Sequence, residues 1–165
     1  MQSLARALAR LGGVRRLSRP WRSPAWPPGS GPDFVNAAAL VAGPADPQAM
    51  LARLHGVEAR AGRVRDRRWG PRVLDLDLLA SGGLVRPDPW AQRAWAELAP
   101  AAQARVAPDR LILPHPRLAD RGFVLAPLAE IAPRWRHPVT GRSVAAMWAA
   151  LPLERRAGLR PMVWR

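Results

Sequence analysis

Asp75 and Asp77 stand two positions apart in a run where they alternate with Leu74, Leu76 and Leu78. Successive side chains of an extended strand point to opposite faces, so this spacing sends both carboxylates to one side and the leucines into a core. Two adjacent carboxylates repel unless a cation lies between them. Their hard oxygens suit Mg²⁺, an ion that typically also binds nucleotide phosphates. Just upstream, Arg63, Arg65, Arg67, Arg68 and Arg72 crowd one loop, and guanidinium forks are natural clamps for phosphate oxygens. Either feature alone fits a solvated surface. Together they make the two halves of a nucleoside-triphosphate site, acids that bind phosphate through metal and arginines that bind it directly. There is no Lys and therefore no P-loop, and neither a Cys nor a Gly-x-Ser-x-Gly nucleophile. A phosphoryl group would pass directly between bound substrates, with catalysis by metal, arginine and positioning.

The surrounding pattern predicts the elements that must hold these groups. Leu4, Leu8 and Leu11 share one helical face that ends at Gly12-Gly13; the acid-free, Arg-rich stretch 1–22 also fits a transit peptide. Val14, Leu17, Trp21 and Trp26 are interrupted by Pro20, Pro24, Pro27 and Pro28, which predicts an edge-type strand and a loop over 26–32. Residues 33–41 are apolar enough for a core strand. Asp46-Pro47 reads as the cap and first residue of a helix that buries Met50, Leu51, Leu54 and Val57 and ends near Gly62. After the charged loop 63–72 comes the carboxylate strand, 73–80, turned by Gly82-Gly83 toward Leu84-Val85. Residues 89–106 read as a helix, 111–113 as a short apolar segment ending at Pro114-His115-Pro116, and 123–131 and 143–151 as two more helices. Strands and helices mix without strict alternation, so an α+β sandwich is expected, with helices against a mainly antiparallel sheet in one domain, 1–165.

Composition narrows the function. Hydrophobic residues make up 48% of the 165, with no apolar run near the ~18 a membrane span needs. Nothing marks the chain for secretion, so a cytoplasmic location and no membrane partner are expected. All 26 basic residues are Arg, the formal charge is +14, Pro occurs 19 times and Tyr is absent. This looks like a coding bias as much as a function, and it weakens the case for a nucleic-acid partner. The types that the bias has nearly eliminated then stand out: Asn36 is the single Asn, and Phe34 and Phe123 are the two Phe. The three His, at 55, 115 and 137, lie far apart and give no metal-ligand spacing.

The string 68–79, Arg-Trp-Gly-Pro-Arg-Val-Leu-Asp-Leu-Asp-Leu-Leu, closely resembles the signature of 6-hydroxymethyl-7,8-dihydropterin pyrophosphokinases. Pro32-Asp33-Phe34-Val35-Asn36, Gly62-Arg63-Val64-Arg65, Leu113-Pro114-His115-Pro116-Arg117 and Arg121-Gly122-Phe123-Val124-Leu125 flank it in the family's order. The resemblance runs from about Leu4 to about Leu151 and implies a ferredoxin-like α+β sandwich. It also implies transfer of pyrophosphate from ATP to the pterin hydroxymethyl group in folate biosynthesis, by a protein expected to be a monomer. By that resemblance Asp75 and Asp77 bind two Mg²⁺. Arg63, Arg65 and Arg72 hold the triphosphate, with Arg63 and Arg72 counted with the two Asp as catalytic, and Arg68 and Trp69 belong to the closing loop. His55, Glu58, Arg110, His115 and Arg121 fall on the nucleotide side. The pterin would lie between Phe34 and Phe123, with Asn36 on its edge and Ser23, Pro24 and Trp26 completing the pocket. A flat polar heterocycle needs aromatic faces and an amide that both donates and accepts.

Two departures accompany the resemblance. Family members begin with a strand and a Gly-Ser-Asn loop ahead of the first helix, whereas this chain starts inside that helix, so the sheet is expected to lack its first strand and a start codon further upstream is the expected reason. Residues 90–106 read as an added helix. Two other readings stay open at this stage: a truncated remnant that binds pterin or nucleotide without turnover, and a basic nucleic-acid-binding module.

Overall fold

The computed structural model describes residues 2–25, 31–62, 74–99, 102 and 105–164. The first helix, α1 (Gln2–Leu11), buries Ala7 and Leu11 and stops where Gly12 and Gly13 take φ of 62° and 63°. That left-handed conformation favours glycine. At Gly13 a side chain is further barred by the Ala42 carbonyl oxygen, 2.6 Å from where a Cβ would stand. Two strands follow, β1 (Val14–Leu17) and β2 (Trp21–Ser23), separated by Pro20, which cannot donate to a ladder. Their partners β3 (Phe34–Asn36) and β4 (Ala39–Val41) are split at the matching place. Ser18 bridges the break: its backbone N–H donates to the Ala38 carbonyl and its Oγ accepts from the Ala38 N–H, both at 2.9 Å.

Among the described residues two antiparallel sheets result. In one, β1 pairs with β4 through Val14–Val41, Arg16–Leu40 and Leu17–Ala39, with an irregularity between Val14 and Arg16. In the other, β2 is central, paired with β3 through Trp21–Asn36, Arg22–Val35 and Ser23–Phe34, and with the terminal strand β5 (Arg160–Pro161). The helices are α2 (Pro47–Arg60), α3 (Pro89–Glu97), α4 (Gly122–Ile131) and α5 (Val144–Ala150). Their starts are written in the sequence. Asp46 accepts from the N–H groups of Gln48 and Ala49 ahead of α2, Asp88 from Ala91 ahead of α3, and Ser143 from Ala146 ahead of α5. The architecture is α+β with antiparallel strands, as expected.

Three element expectations are corrected. Residues 33–41 are not a core strand: they divide into β3 and β4, and Phe34, Val35 and Leu40 are exposed, with Ala38 alone buried. Apolar composition signals affinity for a core, but burial requires something to lie on top. Residues 74–80 join no strand ladder among the described residues, although their facing follows the alternation: Leu74 is buried, Asp75 and Asp77 are exposed, and Leu76 and Leu78 are half-buried. Alternation sets which way side chains point, whereas a strand also needs a neighbouring backbone at hydrogen-bonding distance. The helix expected over 89–106 is interrupted after Glu97, where Leu98 turns extended (ψ 133°), two positions ahead of Pro100, which has no N–H to continue a helix; residues 102 and 105 are helical again.

Among the described residues the apolar interior forms two clusters. One joins α1 and α2 to the carboxylate segment through Ala7, Leu11, Leu54, Val57 and Leu74, with Leu76 and Leu78 against it. The other joins Leu118, α4 and α5 through Val124, Leu125, Val144, Met147 and Leu151, with Leu79 packed on it. Glu130 of α4 ties that second cluster to the sheet. Its carboxylate accepts from the Arg19 backbone (2.9 Å), from Arg19 Nε and Nη2 (3.0 and 2.9 Å) and from Trp21 Nε1 (3.0 Å).

Burial alone would raise the Glu130 pKa, but the side-chain and backbone hydrogen bonds from Arg19 and that from Trp21 outweigh it and hold the group below its ordinary value. A depressed carboxylate contributes stability above its unfolded pKa and loses it as pH falls through the folded one. Glu130→Gln should therefore lower the unfolding free energy at pH 7 by about 1–2 kcal/mol, the exposed Arg19 limiting the effect. Urea titrations over a pH series should show the gap to wild type closing below about pH 4. A gap that persists unchanged into strong acid would mean that the charge contributes nothing.

Candidate active site

Among the described residues the carboxylate segment is held by side-chain and loop contacts in place of a ladder. Leu76 lies between the two acids, and its backbone N–H donates to Glu58 Oε1 at 2.7 Å. Three residues further on, the Leu79 carbonyl accepts from the His115 N–H at 2.8 Å. Glu58 is 1% exposed on the inner face of α2, so this carboxylate is turned into the protein and serves the backbone between Asp75 and Asp77. His55, one turn earlier on α2, is half-buried.

His115 and Arg121 complete the charged end of the site. Burial pushes the His115 imidazole below its ordinary 6.5, against the opposing pull of Asp77. Its Nδ1 accepts from the Arg117 N–H at 3.0 Å, so the neutral ring carries its proton on Nε2, as a donor. Burial likewise lowers Arg121 from its ordinary value, while Asp77 and Asp75 pull it back. Asp77 thus acts on both His115 and Arg121, and Asp75 acts on Arg121. Arg117 and Asp120, paired with each other, act on both His115 and Arg121. Neither was singled out from the sequence, although their i,i+3 spacing beside His115 was a readable signal.

The aromatic end adjoins this cluster through Arg121, whose guanidinium lies 5.7 Å from the Phe123 ring centroid. Phe123 opens α4, which packs on β2 and β3. Phe34 on β3 is 53% exposed and stands opposite buried Ser23 of β2. Asn36 Nδ2 donates to Ser23 Oγ at 2.9 Å and to the Trp21 carbonyl at 3.4 Å, and among the described residues none donates to its Oδ1. Behind both walls runs the segment that follows α5. A Cβ on Gly122 would stand 2.0 Å from the Arg155 carbonyl oxygen, and one on Gly158, at φ 73°, would stand 2.6 Å from Pro24 Cγ.

Arg110 is not drawn into this group. It is exposed, forked onto Asp109 at 3.0 and 3.1 Å, and lines a hollow of about 150 Å³ with Asp46, Arg86 and Leu111. Trp26, Arg63, Arg65, Arg68, Trp69 and Arg72 lie outside the described residues. Among the described residues no group of three or more His, Asp or Glu is arranged to hold a metal ion. No helix among them is long and apolar enough to cross a membrane.

Residues 1–133 match the family model described as 7,8-dihydro-6-hydroxymethylpterin-pyrophosphokinase. The chain is 39% identical over 128 residues, 76% of its length and 68% of the relative's, to a protein of Methylorubrum extorquens named 2-amino-4-hydroxy-6-hydroxymethyldihydropteridine pyrophosphokinase. To the protein of the same name from Synechocystis sp. it is 34% identical over 158 residues, 90% of this chain and 70% of that one. To the Folic acid synthesis protein fol1 of Pneumocystis carinii it is 34% identical over 115 residues, 70% of this chain and 13% of that longer protein.

Substitutions at two positions check the positioning. Glu58→Ala removes the acceptor of the Leu76 N–H and should cost about 1–3 kcal/mol in urea denaturation, most of it recovered by Glu58→Gln, which keeps an acceptor oxygen. Equal losses in the two variants would assign Glu58's role to its charge. Gly122→Ala should cost about 1–3 kcal/mol by overpacking against Arg155, and unchanged stability would show that the post-α5 segment yields freely.

Proposed function

The chain belongs to the 7,8-dihydro-6-hydroxymethylpterin-pyrophosphokinase family, and from that premise we propose that it transfers the pyrophosphoryl group of ATP to the hydroxymethyl oxygen of 6-hydroxymethyl-7,8-dihydropterin, releasing AMP. The pyrophosphokinase role in folate biosynthesis comes with the family. The observation that most supports this reading of the site is Arg121, which feels Asp75 and Asp77 on one side and stacks near Phe123 on the other. A phosphate-binding guanidinium thus stands at the seam between a metal-suited acid pair and an aromatic wall.

Asp75 and Asp77 fit Mg²⁺: both are exposed, both offer hard oxygens, and two protein carboxylates leave room for water and phosphate oxygens, the usual company of that ion. In the proposed complex they would hold two ions, which neutralise phosphate charge when bound. The remaining work falls to this chain's own groups. Arg121 holds a phosphate oxygen by charge-assisted hydrogen bonds, and its half-buried setting strengthens them by excluding water. His115, neutral with its proton on Nε2, donates to the nucleotide without adding repulsion near Arg121. Arg63, Arg65 and Arg72 take the rest of the triphosphate, and Arg68 and Trp69 close over it. On the aromatic side, Phe34 and Phe123 take the pterin faces while Asn36 Oδ1 accepts from the heterocycle's N–H edge, Nδ2 being anchored to Ser23. Direct transfer requires the hydroxymethyl oxygen in line with the β-phosphorus, which is a matter of positioning. We take the working unit to be a monomeric single domain in the cytoplasm.

The test is AMP formation from ATP and Mg²⁺ with and without 6-hydroxymethyl-7,8-dihydropterin. Pterin-dependent AMP should fall at least about 100-fold in Asp75→Ala and in Asp77→Ala, the scale of losing an electrostatic contact to the transferring group. Asn36→Ala should chiefly raise the pterin KM. A folded protein that makes no pterin-dependent AMP would overturn the proposal.

A further inference from the structure

Helix α3 belongs to the added segment that the proposed chemistry leaves without a role, and one of its side chains is out of place for a surface helix. Trp90 is 81% exposed, yet Gln92, two residues on, is 2% exposed. Burying an amide is costly unless it is hydrogen-bonded. Gln92 Nε2 donates to the Pro114 carbonyl at 3.2 Å. Pro114 is itself buried and lies between two residues that are pinned from other directions. Leu113, fully buried, exchanges both backbone hydrogen bonds with Arg86, just before α3 (2.9 and 3.0 Å). His115 donates its N–H to Leu79 at the end of the carboxylate segment. Three consecutive residues are thus fixed by three separate pieces of chain, and the middle one is fixed by α3.

We propose that α3 braces the His115 loop, and that Gln92 is a positioning residue that sets the imidazole against Asp77 and Arg121 and so tunes nucleotide affinity. The nucleotide half of this proposal rests on the function proposed above. The bracing half does not, because it concerns only how the loop is held. Gln92 acts through Pro114 and touches no substrate. The helix does at a distance what a residue inside the site would otherwise have to do: it removes the freedom of the 113–115 backbone before ligand arrives, so that binding no longer bears the cost of ordering it.

The experiment uses Gln92→Met, which keeps volume and loses the donor, with Trp90→Ala on the exposed face of the same helix as control. Amide hydrogen exchange in the full chain should quicken about tenfold at Leu113 and His115 in Gln92→Met, the weight of one hydrogen bond, with Met147 in α5 unchanged and with no effect of Trp90→Ala. Affinity for the magnesium complex of a non-hydrolysable ATP analogue should fall about fivefold to tenfold while pterin affinity stays within twofold. The nucleotide effect should vanish in a His115→Ala background, because a positioning residue acts only through the group it positions. Exchange that quickens equally at Met147, or that Trp90→Ala reproduces, would reduce Gln92 to general core packing and overturn the proposal. So would a nucleotide effect of the same size without His115. A wild-type protein that binds no magnesium–nucleotide would overturn the functional reading and the nucleotide half together, while the exchange pattern would still decide the brace.

Discussion

The hydrogen bond from the Leu76 N–H to the buried Glu58 carboxylate is the constraint on which the site depends. A segment that carries two adjacent acids gains nothing from their mutual repulsion and must be held by its backbone and its leucines. In residues 74–80 no strand ladder does this among the described residues. One carboxylate grips the backbone midway between the acids, Leu74, Leu76 and Leu78 anchor one side in the α1–α2 core, and the His115 amide fixes the far end.

Arg121 joins this acid-bearing segment to the aromatic end. An arginine that is partly withdrawn from water loses solvation, and nearby Asp77 and Asp75 offset that loss. Its plane near Phe123 provides a second, non-ionic contact that an ammonium would make less well. One side chain can therefore register the charge state of the acids and the position of an aromatic wall together. Glu130 plays a comparable part at a distance from the chemistry, with its four donors tying α4 to the strand β2 that carries Ser23.

Much of this was legible in the residues themselves. The cap at Asp46, the stop at Gly12-Gly13, the Pro20 interruption and the facing of Asp75 and Asp77 all express short-range sterics and hydrogen bonding, which a sequence states directly. Ladder pairing was not legible, because Leu74, Leu76 and Leu78 would show the same alternation with or without a neighbouring backbone. Nor was exposure: Phe34, Val35 and Leu40 are apolar wherever they stand, and only the fold decides that nothing covers them. Glu58 shows the limit for the site. The resemblance implies a place on the nucleotide side, and only the fold reveals that its carboxylate accepts from the backbone N–H between the two acids. Gln92 carried no signal at all, since a lone Gln on an Ala-rich helix looks like solvent-facing filler until its neighbour across the fold is known.

The division of the interior into two clusters bears on how the protein fails. Residues 74–79 pass from one cluster to the other: the first leucines are buried beside α1 and α2, and Leu79 lies against α4 and α5. The acids therefore have no fold of their own to retreat into, and neither half can loosen without moving them. Heat inactivation would then follow the weaker of the two clusters, so that the temperature at which catalysis is lost marks the first half to melt and not the mean stability of the whole.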